Sequence, residues 1–114
     1  MENTRQQKIA RQIQRDMADI FTKEAAAVVK GVMVTVTTVR VSPDFGYAKI
    51  YVSVFPFERS EEILEALREH ARQIRHALGN RMRYQVKSIP EIEFFIDDSL
   101  EYIENIEHLL KREE

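Results

Sequence analysis

The beginning of the chain carries apolar residues at helical spacing. From Ile9 to Val28 they recur mostly every three or four positions, which predicts an amphipathic helix over residues 4–29. Asn3 and Thr4 each have a glutamine three positions later, the pattern of a capping box at a helix start. We therefore expect a long first helix that ends near the first glycine of the chain.

Two strand patterns follow this helix. Residues 33–41 are rich in β-branched side chains, and residues 47–55 alternate between apolar and polar positions. The stretch 42–46 has the composition of a turn, so the two strands are predicted to form an antiparallel hairpin. The inward-facing phase of the first strand slips at Thr37 and Thr38, which predicts a β-bulge there.

The second half of the chain contains two more helical patterns and one strand. The first pattern begins with Ser60 as the expected cap and continues past Gly79. Because a glycine inside a helix costs about 1 kcal/mol relative to alanine, Gly79 predicts a kink, or a helix end followed by a restart. Pro90 ends this segment and precedes a third strand over residues 92–97. Asp98 then opens a final helical pattern with capping spacing.

The predicted order of elements defines the fold class. Three strands with helices on one face make an α+β two-layer sandwich. The order helix-strand-strand-helix-kink-helix-strand fits the KH-like fold in its bacterial, type II permutation, although order alone does not exclude ferredoxin-like relatives. We divide the chain into a KH-like RNA-binding domain over residues 1–98 and an acidic C-terminal helical tail over residues 99–114.

Charge is distributed unevenly, although the net charge is only −2. Residues 1–90 contain 15 basic and 10 acidic side chains, whereas residues 91–114 contain 2 basic and 9 acidic ones. A near-neutral total of this origin does not argue against a polyanionic partner for the basic body. The absence of cysteine excludes disulfides and thiolate metal sites. The polar N-terminus and short apolar runs predict neither a secretory signal nor a membrane span.

Two groups of cations are the candidate RNA-binding residues. One group, the N-terminal stripe, shares one side of the first predicted helix, and the second group surrounds Gly79. The N-terminal stripe is Arg5, Lys8, Arg11 and Arg15, and the second group is Arg72, Arg75, His76, Arg81, Arg83 and Lys87. Surface cations are usually only solvated, but two acid-poor groups in one small domain favour contact with phosphates. Since these side chains lie off the apolar stripes, charge reversal at Arg75 and Arg81 is expected to leave the fold intact.

No constellation for catalysis or for a metal is readable. The adjacent Asp97 and Asp98 resemble a carboxylate pair, but neighbours in a strand point to opposite faces, and Asp98 is the expected helix cap. His70, His76 and His108 have no metal-ligand spacing among them, and no phosphate-cradling glycine loop is present. The sequence thus predicts binding without catalysis and without a cofactor.

Three aromatic residues lie on the face of the second strand opposite its apolar positions: Tyr47, Tyr51 and Phe55. Aromatic side chains on an exposed sheet face stack on unpaired bases in some RNA-binding proteins. In other sheets they form ordinary cross-strand pairs. The sequence leaves both interpretations open.

Four stretches in this order resemble the ribosome-binding factor A family. They are TTVRVSPD at 37–44, AKIYVS at 48–53, IRHALG at 74–79 and SIPEIEFFIDDS at 88–99. Ordinary KH domains clamp RNA with a Gly-X-X-Gly loop, which is missing here, and an Ala-X-Gly kink formed by Ala77, Leu78 and Gly79 stands in its place. That substitution is itself part of the resemblance.

The resemblance implies a non-enzymatic protein of the bacterial cytoplasm. Such a protein binds the immature small (30S) ribosomal subunit and its 16S rRNA, assists late maturation of that RNA and supports growth in the cold. We expect no membrane partner, and a monomer away from the ribosome. The strongly acidic tail departs from the family pattern, so the resemblance implies no role for it.

Two other classes of function compete with this interpretation. A protein-binding adaptor would use the acidic tail and an exposed sheet edge, and it would bind a basic protein but no RNA. A small enzyme would need a nucleophile and base that the sequence does not display. A metabolite that raises the melting temperature would favour the enzyme.

Overall fold

The computed structural model describes residues 3–98, and through the third strand it has the predicted order of elements. The elements are α1 (Thr4–Thr22), β1 (Met33–Val41), β2 (Tyr47–Phe55), a 3₁₀ turn (Phe57–Arg59), α2 (Ser60–Glu69), α3 (Ala71–Met82) and β3 (Glu91–Ile96). The α+β class and the KH-like order are therefore confirmed. The predicted tail helix of residues 99–114 lies outside the described residues.

The sheet has β2 at its centre, antiparallel to β1 and parallel to β3. Because successive side chains of a strand point to opposite faces, Ala48, Ile50, Val52 and Val54 lie on one face of β2. All four are at most 1% exposed, and Phe94 of β3 is buried with them. This face of the sheet forms one side of the hydrophobic core.

The helices cover that face with one apolar side each. Ile13, Met17 and Ile20 of α1, Leu67 of α2 and Leu78 of α3 are fully buried. Burial of one such side chain contributes roughly 1.5–3 kcal/mol to folding. The predicted two-layer sandwich, with its helices on one side of the sheet, is confirmed.

The predicted β-bulge is confirmed at Thr37. β1 pairs with β2 in one register up to Val36 and in a shifted register from Thr38. The Thr37 hydroxyl donates a hydrogen bond of 2.6 Å to the carboxylate of Asp97, the residue after β3. The bulge thereby links the two outer strands across the central one.

The turn between β1 and β2 is held by its own polar side chains. The Asp44 carboxylate accepts hydrogen bonds from the Ser42 hydroxyl at 2.7 Å and from the Gly46 N–H at 3.0 Å. These two bonds, the Ser42 bond foremost, hold the pKa of Asp44 below its ordinary value. The turn leaves Phe45 with a φ of +59°, a conformation that bulky residues rarely adopt.

The first helix is shorter than predicted, because it ends at Thr22 rather than at residue 29. Lys23 leaves the helical conformation, and the Ala25 N–H bonds to the Ile20 carbonyl at 2.8 Å, closing a wider turn. Ala25 and Val29 are nevertheless buried. Their apolar spacing therefore reflects packing on the core. They reach the core from a segment of turns rather than from a helix.

The helix break in the second half of the chain also differs from the prediction. Ala77, Leu78 and Gly79 lie inside the continuous helix α3, so the kink predicted there is wrong. The break falls at His70, between α2 and α3, where the ring Nδ1 lies 2.9 Å from the Ala66 carbonyl oxygen. The His70 N–H keeps its helical bond to the same carbonyl at 3.1 Å, so the ring contact adds to the last turn of α2.

Ser60 is not the helix cap that the sequence predicts. It is the first residue of α2, and its hydroxyl donates to the Phe57 carbonyl at 2.6 Å within the preceding 3₁₀ turn. The short 3₁₀ turn thus replaces a side-chain cap. Its backbone leads directly into the helix.

Gly79 has a packing role instead of a kink. A Cβ built on it would lie 3.3 Å from Cγ1 of Ile89, closer than ordinary contact. The glycine therefore permits a close approach between α3 and the segment that enters β3.

We expect Gly79→Val to destabilise the fold by about 1–3 kcal/mol, because its branched side chain would overpack against Ile89. Gly79→Ala is the matched control. Alanine adds only the Cβ that meets Ile89 at 3.3 Å, without the two further methyl groups of valine, and up to about 1 kcal/mol of helix propensity offsets this crowding. Urea unfolding of the three proteins measures both changes, and equal stability of the valine and alanine variants would contradict the packing role.

Candidate nucleic-acid interface

The N-terminal stripe is exposed in full on α1. The capping box predicted for Asn3 is present, with Gln6 as its partner. Gln6 is itself buried, and its side-chain amide donates to the Val41 carbonyl at 2.8 Å, which fixes the helix start against the end of β1. The side of α1 that faces water then carries Arg5, Lys8, Arg11 and Arg15.

This placement does not help the helix itself. Cations in the first turns oppose the helix dipole, and the first turn of α1 contains no acidic residue to offset them. Arg15 donates to the side chain of Gln12 at 2.8 Å. For the four cations of the stripe, the described residues provide no ion pair within 4 Å. The stripe is therefore available to an external anion.

The second group of cations is divided by the structure. Arg72, His76, Arg83 and Lys87 are exposed. Arg75 and Arg81 are only partly exposed, and both are occupied by other parts of the fold. Charge reversal at these two arginines, expected from their position off the apolar stripes to leave the fold intact, would break contacts within the fold.

Arg81 ties α3 to the end of α1. Its guanidinium donates to the Asp19 carboxylate at 2.6 Å and to Glu24 at 2.8 Å, and its side chain is only 23% exposed. The hydrogen bond from Arg81 is the largest cause that lowers the pKa of Asp19. The pKa of Glu24 is lowered first by its own backbone N–H and then by Arg81. Two carboxylates therefore compensate the charge of Arg81.

Arg75 holds the segment that leads into β3. Its Nε donates to the Pro90 carbonyl at 2.9 Å, and Nη2 donates to the Ile89 carbonyl at 2.6 Å. Glu91 lies 3.6 Å from the same guanidinium. Two backbone bonds from one planar group fix both its position and that of the segment.

The two groups of cations meet at one concavity. It lies between the start of α1, the β1–β2 turn and the segment after α3, and its volume is about 530 Å³. Arg5 of the N-terminal stripe and Arg83 and Lys87 of the second group line it together with Asp44, Phe45 and Tyr84. The structure thus brings three of the ten predicted residues into one site.

Two aromatic rings of this concavity are each covered by an arginine. Cζ of Arg5 lies 5.1 Å from the ring centroid of Phe45, and Cζ of Arg83 lies 4.9 Å from that of Tyr84. Tyr84 is 85% exposed. Sequence reasoning missed both rings; the signal for Tyr84 is a lone aromatic residue among the cations that follow α3.

A second, shallower groove runs beside α3. Arg72, Arg75 and His76 line it with Gly79, Asn80 and Ile89. Three further predicted residues therefore share a surface next to the glycine. Lys8 and Arg15 line neither hollow, and Arg11 lines a third one between α1 and the bulged part of β1.

The outer face of the sheet pairs its own aromatic residues. Tyr51 stacks on Phe95 with a centroid distance of 5.4 Å and an angle of 27°. The Tyr47 hydroxyl donates to the carboxylate of Glu93. Tyr47 and Tyr51 thus make the cross-strand contacts that one of the two interpretations expects, while Phe55 remains 40% exposed.

Asp97 and the other potential metal ligands of residues 3–98 can be placed in the structure. No group of three or more potential metal ligands occurs there. The Asp97 carboxylate accepts the Thr37 hydroxyl, which gives it a structural partner. None of the helices within the described range is long and apolar enough to cross a bilayer.

Fold and site together define a small KH-like α+β domain with an exposed cationic surface. The chain belongs to the ribosome-binding factor A family, whose sequence pattern matches residues 5–110. It is 42% identical to ribosome-binding factor A of Cytophaga hutchinsonii, over 98% of this chain and 84% of that relative. It is 40% identical to the Chlorobaculum tepidum protein of the same name, over 94% of this chain and 88% of that relative.

Solved structures agree with this assignment. The crystal structure of ribosome-binding factor A from Thermus thermophilus superposes with a TM-score of 0.67 at 25% identity, covering 80% of this chain and 94% of that one. A homology model of the Thermus thermophilus protein, fitted into a cryo-electron-microscopy map of a complex with 30S, superposes with a TM-score of 0.59 at 28% identity, covering 75% of this chain and 88% of that one.

We expect Arg81→Ala to lower the melting temperature at pH 7 by about 4 °C, because α3 loses its ionic link to α1. Arg83→Ala is the matched control and should melt like the parent, since Arg83 is exposed. The pKa values of Asp19 and Glu24 are lowered in the folded state. Their contribution to the stability of the folded protein is therefore complete above the ordinary carboxyl pKa of about 4.

That contribution is lost as the pH falls through the lowered pKa values. The difference between the Arg81→Ala variant and the parent should therefore shrink below about pH 4. Calorimetric scans from pH 7 down to about pH 3 measure it. A parent and variant that melt together at pH 7 would show that the link contributes nothing.

Proposed function

We propose that this protein binds the immature small ribosomal subunit and its 16S rRNA, and assists late maturation of that RNA without catalysing a reaction. The observation that carries the proposal is the meeting of Arg5, Arg83 and Lys87 at one concavity with two aromatic rings. Cations and aromatic faces together suit RNA, which offers both phosphates and bases. The fitting of a family member into a map of a 30S complex supports the choice of partner.

The proposed RNA surface is smaller than the set of cations in the sequence. Eight of the ten candidates would contact RNA, and Arg75 and Arg81 would only hold the surface in place. The proposed contacts are Arg5, Lys8, Arg11, Arg15, Arg72, His76, Arg83 and Lys87, all of them exposed. Lysine and arginine would bind phosphates, which dominate the affinity of most protein–nucleic acid contacts.

Binding of this kind assists RNA maturation only if it distinguishes conformers. A protein with higher affinity for one folding intermediate of the RNA raises the population of that intermediate. The proposed role places the protein in the bacterial cytoplasm, where the subunit is assembled. Low temperature stabilises misfolded RNA helices, so a conformer-selective factor would matter most in the cold.

The adaptor alternative is less well supported at the sheet edges. Gln6 and Gln14 of α1 donate to backbone carbonyl groups of β1, at 2.8 Å and 3.0 Å. Arg68 of α2 donates to the Phe94 carbonyl of β3 at 3.2 Å. Helix side chains thus use part of each edge that a partner strand would need.

The double variant Arg83→Glu, Lys87→Glu should weaken co-sedimentation with small subunits and retain the melting temperature of the parent. Both residues are exposed, and such changes usually alter stability by only about ±0.5 kcal/mol. The magnitude of the salt slope of binding should fall by roughly one to two, about one per lost phosphate contact. Sedimentation with small subunits, large subunits and whole ribosomes across a salt series measures this.

Arg40→Glu, Lys49→Glu is the matched control for charge. These two exposed cations are cross-strand partners on the outer sheet face, and their reversal changes the net charge by the same amount. This control variant should weaken co-sedimentation with small subunits much less than Arg83→Glu, Lys87→Glu does. Equal loss from both pairs would indicate a general charge effect, and undiminished binding of a folded Arg83→Glu, Lys87→Glu protein would favour the adaptor.

We further propose that the acidic tail of residues 99–114 screens the basic body. The tail contains five acidic and two basic side chains, so its deletion makes the protein more cationic by three charges. Non-specific RNA affinity should rise at low salt, and the increase should vanish near 0.5 M salt because exposed charges are screened there. Filter binding with unrelated RNA measures the change. Loss of cooperative unfolding on deletion would instead make the tail part of the core.

A further inference from the structure

We propose that the concavity between α1, the β1–β2 turn and the segment after α3 is a binding site for one unpaired RNA nucleotide. Its base would stack on Tyr84, and Arg5 and Lys87 would hold the flanking phosphates. The inference rests on the proposed function and deepens it, because a surface that only binds phosphates needs no aromatic ring.

The exposure of Tyr84 is the first observation. A tyrosine that is 85% exposed contributes little to the core. The guanidinium of Arg83 packs over its ring, with Cζ 4.9 Å from the centroid. Arg83 thereby contacts one face of the ring, and at 85% exposure most of the ring surface remains accessible. The opposite face is open to a planar ligand, and base–aromatic stacking requires just such a face.

The backbone at Phe45 is the second observation. Its φ of +59° is unfavourable for a bulky residue, and turns of this kind ordinarily place glycine or asparagine there. Backbone conformations of this type concentrate at ligand sites. Here the unusual conformation brings a half-buried ring into the lining of the concavity, 5.1 Å below Arg5.

The polar lining identifies the ligand as a nucleotide. Three cations and one carboxylate, Asp44, line the site. Cations suit the phosphates on either side of a base. The Asp44 carboxylate has its hydrogen bonds from Ser42 and Gly46 at 2.7 Å and 3.0 Å, and its remaining lone pairs suit the amino or imino group of a base. A volume of about 530 Å³ falls in the range of small-ligand sites.

The nucleotide must be unpaired. In a duplex both faces of a base are covered by its neighbours, and the deep groove of A-form RNA does not admit a side chain to them. Only a loop, a bulge or a single-stranded end presents a free face to Tyr84. A folding intermediate of rRNA exposes such nucleotides before its helices are complete, so this site would give the differential affinity that the proposed function needs.

The test compares Tyr84→Ala with Tyr84→Phe in the full chain. Fluorescence anisotropy would measure the binding of a labelled single-stranded RNA of about ten nucleotides, a duplex of the same length and each of the four free nucleoside monophosphates. Tyr84→Ala should weaken binding of the single strand by about 5- to 150-fold, the range for loss of one stacked base. Tyr84→Phe, which retains the ring, should bind within about twofold of the parent.

Three controls separate stacking from other effects. Phe57→Ala removes another exposed aromatic ring, in the 3₁₀ turn, and should leave binding unchanged. Duplex affinity should be the same for Tyr84→Ala and the parent. The salt slope should also be unchanged in Tyr84→Ala, because stacking releases no counterions from phosphates.

Each other outcome overturns the inference. If Tyr84→Ala binds the single strand like the parent while Arg83→Glu, Lys87→Glu still weakens it, the nucleotide site is wrong and the proposed function stands. If neither variant changes RNA or subunit binding, the proposed function fails as well. Free monophosphates that bind as tightly as the single strand would make the site one for a soluble nucleotide. An equal loss on the duplex would exclude base stacking.

Discussion

The open edges of a three-stranded sheet are the constraint on which this fold depends. Within residues 3–98, every strand except β2 has one edge without a partner strand, and unpaired edges attract other chains. Here the helix layer reaches over both edges. Gln6 and Gln14 of α1 donate to carbonyl groups of β1, and Arg68 of α2 donates to one of β3. These bonds agree with the rotation that the buried apolar side of α1 sets, which leaves its cationic side facing water.

Contacts within the fold also divide the arginines between structure and recognition. Arg75 and Arg81 bond to backbone carbonyls and carboxylates of the fold, whereas Arg72 and Arg83 are exposed, the latter with its guanidinium over the ring of Tyr84. All four have the same residue type and lie in one short stretch of sequence. A count of cations in the sequence therefore overestimates the size of an RNA-binding surface, because some of these arginines donate hydrogen bonds to residues that are distant in the chain.

What the sequence predicted correctly is mostly local. The capping box, the hairpin and the bulge at Thr37 depend on residues within a few positions of each other, and all three are present. The end of α1 was missed because Ala25 and Val29 keep helical spacing while they pack on the core from turns. The partners of Arg81 were missed because Asp19 is 62 positions away. Long-range contacts leave no periodic signal in a single sequence.

The segment from residue 83 to residue 90 shows how the core positions the candidate site. It is neither helix nor strand, yet it carries Tyr84 and Lys87. Its far end is fixed by the bonds of Arg75 to two carbonyls and by the close approach of Ile89 to Gly79. The next residue, Glu91, donates its N–H to the Gly46 carbonyl at 3.0 Å, which joins the segment to the turn that carries Phe45. Gly79 therefore acts through direct packing against this segment. It forms no kink, and by admitting Ile89 close to α3 it helps to hold the end of the segment that enters β3.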